Sequence, residues 1–186
     1  MNRIRFATLK DLFASFSTAA IETGEEAASA EESVAFVRRC LAEQRRDAAI
    51  SYCAYLLPRR EAVWWGCHAM RDMKELTASE RACVAAARQW ALRPDEAARR
   101  KALDLGLETS AKLSGGWIAL AAAWSGGSIA PAGGPPMAPS PAATAQAVRV
   151  ALLSASTRLA NDRRPAIMTA WVEFALRSLD EGMDFA

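Results

Sequence analysis

The stretch Thr77-Ala-Ser-Glu80 followed by Arg81-Ala-Cys83-Val-Ala-Ala86-Ala87-Arg-Gln-Trp90 decides the fold class. Thr77 and Glu80 stand at capping-box spacing: the hydroxyl can accept from the amide three residues on, while the carboxylate turns back to the threonine amide. Behind them Cys83, Ala86, Ala87 and Trp90 recur at i, i+3, i+4 and i+7, one face of a helix. The intervening alanines are the strongest helix formers. Pro94 then opens a further helix with Ala98, Ala102 and Leu105 inward, and Gly106 is expected as its C′ residue.

The same signals extend in both directions. Thr8 is placed to cap a short helix over 8–17, with Leu9, Leu12, Phe13 and Phe16 on one face. Residues 18–28 read as a polar loop. Ser29-Ala-Glu-Glu32 reads as another capping box, opening a helix striped by Val34, Val37, Cys40 and Leu41 that stops near Gln44 to Arg46. Asp47 is placed to cap a helix with Ile50, Cys53, Ala54 and Leu57 on one face. Pro58 ends that helix and opens the next, which runs to about Met73. Ser114-Gly-Gly116 precedes a short helix with Trp117, Leu120, Ala121 and Trp124 on one face. Residues 125–141 hold five of the eight prolines and four of the ten glycines, a composition that suits one irregular loop. Thr144 caps a helix to about Asn161, and Pro165 opens the last, which ends at Gly182.

The expected architecture is all-α: a single helical domain over 1–186, with seven to eight mostly antiparallel helices and one long Pro/Gly-rich loop at 125–141. A short helix and an acidic loop occupy 1–28. Tyrosine and β-branched residues are too sparse for sheet.

The formal net charge is +2 and charged residues make up 24% of the chain. That balance gives neither a nucleic-acid nor a membrane footprint. The longest apolar run, Trp117 to Trp124, is far short of the roughly 20 residues a membrane span needs. Lys10 and Asp11 interrupt any apolar region near the start, so no signal peptide is read and the protein is expected to be cytoplasmic. Cys40, Cys53, Cys67 and Cys83 fall in helical segments without a CxxC pair, and buried reduced thiols are expected. Charge is uneven: Glu22, Glu25, Glu26, Glu31 and Glu32 make the early chain acidic, while no Asp or Glu lies between Thr109 and Asn161.

No catalytic constellation is legible. The one histidine, His68, follows Cys67 on a helix, where neighbours point about 100° apart and cannot serve as nucleophile and base. No metal-ligand spacing, P-loop, GxGxxG or HExxH occurs. No catalytic residue, metal or cofactor is therefore expected.

Two segments invite a binding reading. On a helix from Pro58, Glu61, Trp65, His68 and Asp72 share one stripe, while Val63, Cys67 and Met70 share another flanked by Trp64. Either Trp64 is core, with Arg60 covering it by cation–π contact and Arg59 pairing locally, or Trp65 with Glu61 and His68 forms a half-exposed recognition surface. Trp124-Ser125-Gly126-Gly127 is either a helix C-terminus with left-handed glycine or the start of a loop that docks on a partner. The partner-binding candidates are Arg59, Arg60, Glu61, Trp65, His68, Trp124, Ser125, Gly126 and Gly127.

Leu57-Pro-Arg-Arg-Glu-Ala-Val-Trp-Trp65 followed by Cys67, together with Trp124-Ser-Gly-Gly-Ser128 and its Pro-rich continuation, resembles the signatures of a bacterial family of uncharacterised helical proteins. That family occurs in type VI secretion gene clusters, near adaptor and PAAR-like spike-tip proteins. The resemblance covers about residue 30 to the C-terminus and carries no assigned catalytic residue. It implies a non-enzymatic accessory or chaperone-like factor in effector loading or adaptor stabilisation, with an adaptor, effector or spike-tip protein as partner. The alternatives are an immunity protein that neutralises a cognate toxin, and an enzyme with an unrecognised site.

Overall fold

The computed structural model describes residues 5–25, 29–130, 133–183 and 185. Glu26 of the early acidic stretch lies outside them. Among the described residues the chain is all-helical, with ten α-helices, one 3-10 turn and a single isolated β-bridge. No helix there is long and apolar enough to cross a membrane. The chain forms two compact units: Met1–Pro58 with Ala160–Asp184, and Arg59–Leu159 with Phe185–Ala186.

The first unit contains α1 (Leu9–Ser15), α2 (Ser17–Thr23), α3 (Ser33–Ala42), α4 (Arg46–Leu56) and α10 (Arg164–Glu181). Every residue of α4 from Ala48 to Leu56 is buried, and α2, α3 and α10 pack against it. A helix buried all round is a core helix. Tyr52 anchors it, with the Phe36 ring at 4.7 Å and the Phe13 ring at 6.0 Å. Its hydroxyl and that of Ser33 lie 2.8 Å apart.

Two local expectations are corrected here. Residues 17–23 are helix rather than loop, and Gly24, at φ 69°, ends α2 in the left-handed conformation that glycine adopts freely. This helix raises the count above the expected seven to eight. The capping box at Ser29–Glu32 does not form, because the entry to α1 has already engaged that segment. Leu9 N donates to Glu31 O, Lys10 N to Ser29 O and Ser33 N to Ala7 O. α3 therefore begins at Ser33, with no side-chain cap from Glu32. The box forms instead at Thr8, closed reciprocally by Asp11.

The second unit contains α5 (Arg59–Ala69), a 3-10 turn (Met70–Asp72), α6 (Ala78–Leu92), α7 (Glu96–Glu108), α8 (Ser114–Ala123) and α9 (Ala143–Ser156). The expected box at Thr77 is present: Glu80 N donates to Thr77 Oγ1 at 3.2 Å, and Thr77 N donates to Glu80 Oε2 at 3.0 Å. Asp95 rather than Pro94 opens α7, accepting from Ala98 N at 2.8 Å. Thr144 lies inside α9 and does not cap it.

The uncharged helix α8 is the centre of this unit and packs on α5, α6, α7 and α9. Glycines let it approach closely. A Cβ at Gly106 would meet Leu120 Cδ2 at 2.8 Å, so Gly106 is a packing residue inside α7 and not a C′ residue. A Cβ at Gly115 would meet Glu80 Cα at 2.8 Å and Glu80 O at 2.9 Å. Backbone cannot step aside as a flexible side-chain tip can. Gly115→Ala should therefore cost about 2 kcal/mol or more. Gly126→Ala meets nothing within 4 Å and should be close to neutral. Parallel thermal melts check the contrast, and equal losses would refute this packing account.

Candidate functional site

The two segments singled out in the sequence meet in the second unit. Arg59 stands at the first position of α5 and reaches out of the helix start. Its Nη1 donates to Ser125 O at 2.7 Å and its Nη2 to Pro141 O at 3.3 Å. Arg59 thus joins the two ends of the stretch 125–141. The described residues of that stretch contain neither helix nor strand.

Two arginines of α7 hold the same segment from another side. Arg99 is only 4% exposed. Its Nη1 donates to Ala123 O at 2.7 Å, its Nη2 to Ser128 O at 3.1 Å, and it forms a bidentate pair with Glu96. Arg100 Nη1 donates to Ala130 O at 2.7 Å. These hydrogen bonds from charged donors are stronger than neutral ones and satisfy carbonyls that α8 and the loop leave open. Hydrogen bonds from Arg99, with a contribution from Arg100, hold the Glu96 carboxyl down at about 2 against a smaller opposing effect of burial.

Gly127 is part of this clasp. It sits at φ 61°, and a Cβ there would meet the Arg99 guanidinium at 2.9 Å. Ser128 then closes the loop on itself. Its Oγ accepts from Ala130 N at 3.2 Å and Met137 N at 3.1 Å, while Ile129 N donates to Met137 O at 2.8 Å. Beyond this base Gly133 to Ala138 are all exposed, and the Met137 side chain is 57% exposed. The result is a strap with a pinned base and an exposed, uncharged crest.

The other candidates fall elsewhere. Trp65 is 0% exposed, which corrects its placement on a half-exposed recognition surface. Every residue from Ala62 to Cys67 is buried, because α5 packs against neighbours on more than one side. Arg60 does not cover Trp64. Its guanidinium lies 3.9 Å from the Phe185 ring and its Nε donates to Ala91 O at the end of α6, while Arg88 lies 5.4 Å over Trp64. Glu61 and His68 are half-buried. His68 lines a cleft of about 10 Å³, hardly room for one water. Beside it the Cys67 thiol donates to Val84 O, and burial pushes its pKa up to about 12. A thiol so raised is protonated at neutral pH and is no nucleophile. All four cysteines are buried and free.

Arg99 and Arg100 were not singled out in the sequence. Arg99, Ala102, Leu103 and Gly106 share the buried face of α7 at i, i+3, i+4 and i+7. An arginine on such a face needs buried acceptors, and that was the available signal. A second feature also escaped the sequence reading. At the far end of α7 and α8 a groove of about 170 Å³ is lined by Gly106, Leu107, Gly116, Trp117 and Leu120. Leu107 is 53% exposed. Trp117 meets Trp124 edge-on, with ring centroids 6.1 Å apart. In the first unit a cleft of about 590 Å³ is walled by Arg45, Arg46 and Arg164 together with Glu22 and Asp47. Among the described residues no cluster of three or more His, Cys, Asp or Glu could hold a metal ion.

The chain belongs to a family of unknown function, DUF6931, whose model matches residues 36–179. No curated protein and no solved structure matches it.

Proposed function

We propose that this DUF6931 member is a non-enzymatic protein-interaction module that docks on its partner through the strap of residues 125–141. The observation that carries the reading is the strap itself. Three arginines and Ser128 fix its base, while its Pro/Met crest stays exposed. A fixed base lowers the entropy that a loop loses on binding. A crest without charge sheds its water cheaply against a partner. The resemblance drawn from the arginine–tryptophan and Trp-Ser-Gly-Gly segments supplies the setting: an accessory or chaperone-like factor of type VI secretion, acting in the cytoplasm on an adaptor, an effector or a spike-tip protein.

Co-purification with the adaptor, effector and spike-tip proteins of the same gene cluster tests this reading. One of the three should be retained by the intact chain. It should be lost when residues 133–139 are replaced by a Gly/Ser segment of equal length, and weakened by Arg99→Gln, which loosens the base. Retention independent of the strap, or capture of none of the three, would refute it. Gene deletion separates the immunity alternative: poisoning by a neighbouring effector favours an antitoxin, whereas lost effector export without poisoning favours the accessory role.

A further inference from the structure

We infer that the cleft of the first unit binds a small organic anion: a carboxylate or phosphate-monoester head carrying an apolar tail. The cleft lies wholly in the first unit and the strap in the second, so this inference does not rest on the proposed function.

At about 590 Å³ the cleft has the size of a small-molecule pocket. A turn assembles its cationic wall. Gln44, at φ 60°, lies in the left-handed region between α3 and α4, and Arg45 and Arg46 follow it into the lining. Arg164, the first residue of α10, is the third arginine of the wall.

The charges of the cleft are not equally engaged. Glu22 accepts from the Tyr55 hydroxyl at 2.8 Å. Asp47 stands exposed in the first turn of α4, where a carboxylate suits the helix start. Arg45 donates to Glu25 and to Thr23 O. Glu25 and Glu43, next to the lining, are shared between Arg45 and Arg39. Ahead of α10 the exposed Asp162 and Arg163 add no net charge. Arg46 differs from all of these. It is half-buried, and among the described residues its acceptors are neutral: Thr169 Oγ1, 3.0 Å from Nε, and Gln44 O, 3.5 Å from Nη1. The Thr169 bond fixes one edge of the guanidinium from α10. A guanidinium so held, with no carboxylate partner, is pre-organised for an oxyanion. The start of α10 reinforces it. Arg164 and Pro165, its first two residues, border the cleft, and its first turn carries neither an acidic residue nor a side-chain cap. The dipole and open amides of an 18-residue helix therefore also favour an anion there.

The rest of the lining calls for an apolar tail. Ile21 is 84% exposed, the highest value among the exposed large hydrophobic side chains described. It borders the cleft together with the exposed Pro165 and the buried Met168. A hydrocarbon laid against these three takes apolar surface out of water while its head meets Arg46.

Isothermal titration calorimetry of the full chain with hexyl phosphate, hexanoate, hexanol and inorganic phosphate tests the inference. At least one hexyl anion should bind one-to-one, about tenfold or more tighter than hexanol and inorganic phosphate. Tighter hexyl phosphate assigns a phosphate head, and tighter hexanoate a carboxylate head. Arg46→Gln should weaken that binding about tenfold. Ile21→Glu places a carboxylate at the rim and should weaken it as well, with an unchanged melting temperature because the side chain is exposed. Arg38→Gln removes an exposed arginine outside the lining and should change nothing. Four results would each overturn the inference: no binding of either hexyl anion at millimolar concentration, equally tight hexanol or inorganic phosphate, affinity that survives both Arg46→Gln and Ile21→Glu, or an equal loss with Arg38→Gln.

Discussion

Replacing Arg158 by alanine is expected to cost about 3 kcal/mol of stability at neutral pH and to reverse one component of its pH dependence. The reason lies in Glu80, whose side chain is wholly buried while closing the capping box of α6. Arg158 Nη1 donates to Glu80 Oε1 at 2.6 Å, and the amides of Thr77 and Gly115 also point at the carboxylate. Burial is the largest single influence on this group and raises its pKa. The hydrogen bonds and charge of Arg158, with those amides, outweigh burial and leave the value below the usual carboxylate range.

In the intact protein the folded value therefore lies beneath the unfolded one. The carboxylate's contribution is present above the ordinary glutamate value, about 4.3, and is lost as pH falls through the lowered value. Without Arg158, burial dominates and the folded value rises above the unfolded one. Stability of the variant should then increase as pH is lowered from 7 toward 5, where the intact protein gains nothing from this group. Arg158 is itself partly solvated, which keeps the cost at the lower end for a broken buried pair. Urea titrations at pH 7, 6 and 5 read both effects. Parallel pH trends for the two proteins would show that Glu80 does not depend on Arg158. Glu80→Gln should be milder than Arg158→Ala, because the amide oxygen keeps the cap and no buried charge is left alone.

Trp65→Ala should be as damaging, at about 3–5 kcal/mol. The residue is, with Trp171, one of the two tryptophans among the fully buried side chains. Removing it deletes the transfer free energy of an indole and leaves a cavity that close-packed helices cannot collapse into. Trp64→Ala should cost less, because Arg88 and Phe185 cover that ring and both can reposition. Denaturant midpoints of the two variants check the order. If Trp65→Ala left stability unchanged but abolished partner capture, the recognition-surface reading of Glu61, Trp65 and His68 would be restored.

The contrast between these residues shows where sequence reasoning stops. A stripe such as Cys83, Ala86, Ala87 and Trp90 announces its buried face because the other side of α6 is charged and polar. In α5 the residues from Ala62 to Cys67 are buried on every side, so periodicity does not distinguish an inner tryptophan from an outer one. The same limit applies to Gly106. A glycine near the end of a helical pattern reads as a stop, and only the approach of Leu120 shows that it is a contact.

The candidate site divides in the same way. Arg59 and the Trp124–Gly127 turn were legible as unusual residues. Their meeting at 2.7 Å was not, because 66 positions separate them and no local rule spans that distance. What the sequence by itself determined is the class of the fold and the caps at Thr8 and Thr77, since helix propensity, capping and a 3.6-residue stripe act over a few residues. The tertiary structure alone decided which arginines hold the strap, which tryptophan is core and which glycines admit a neighbouring helix. Each of those outcomes depends on a surface supplied by a distant part of the chain.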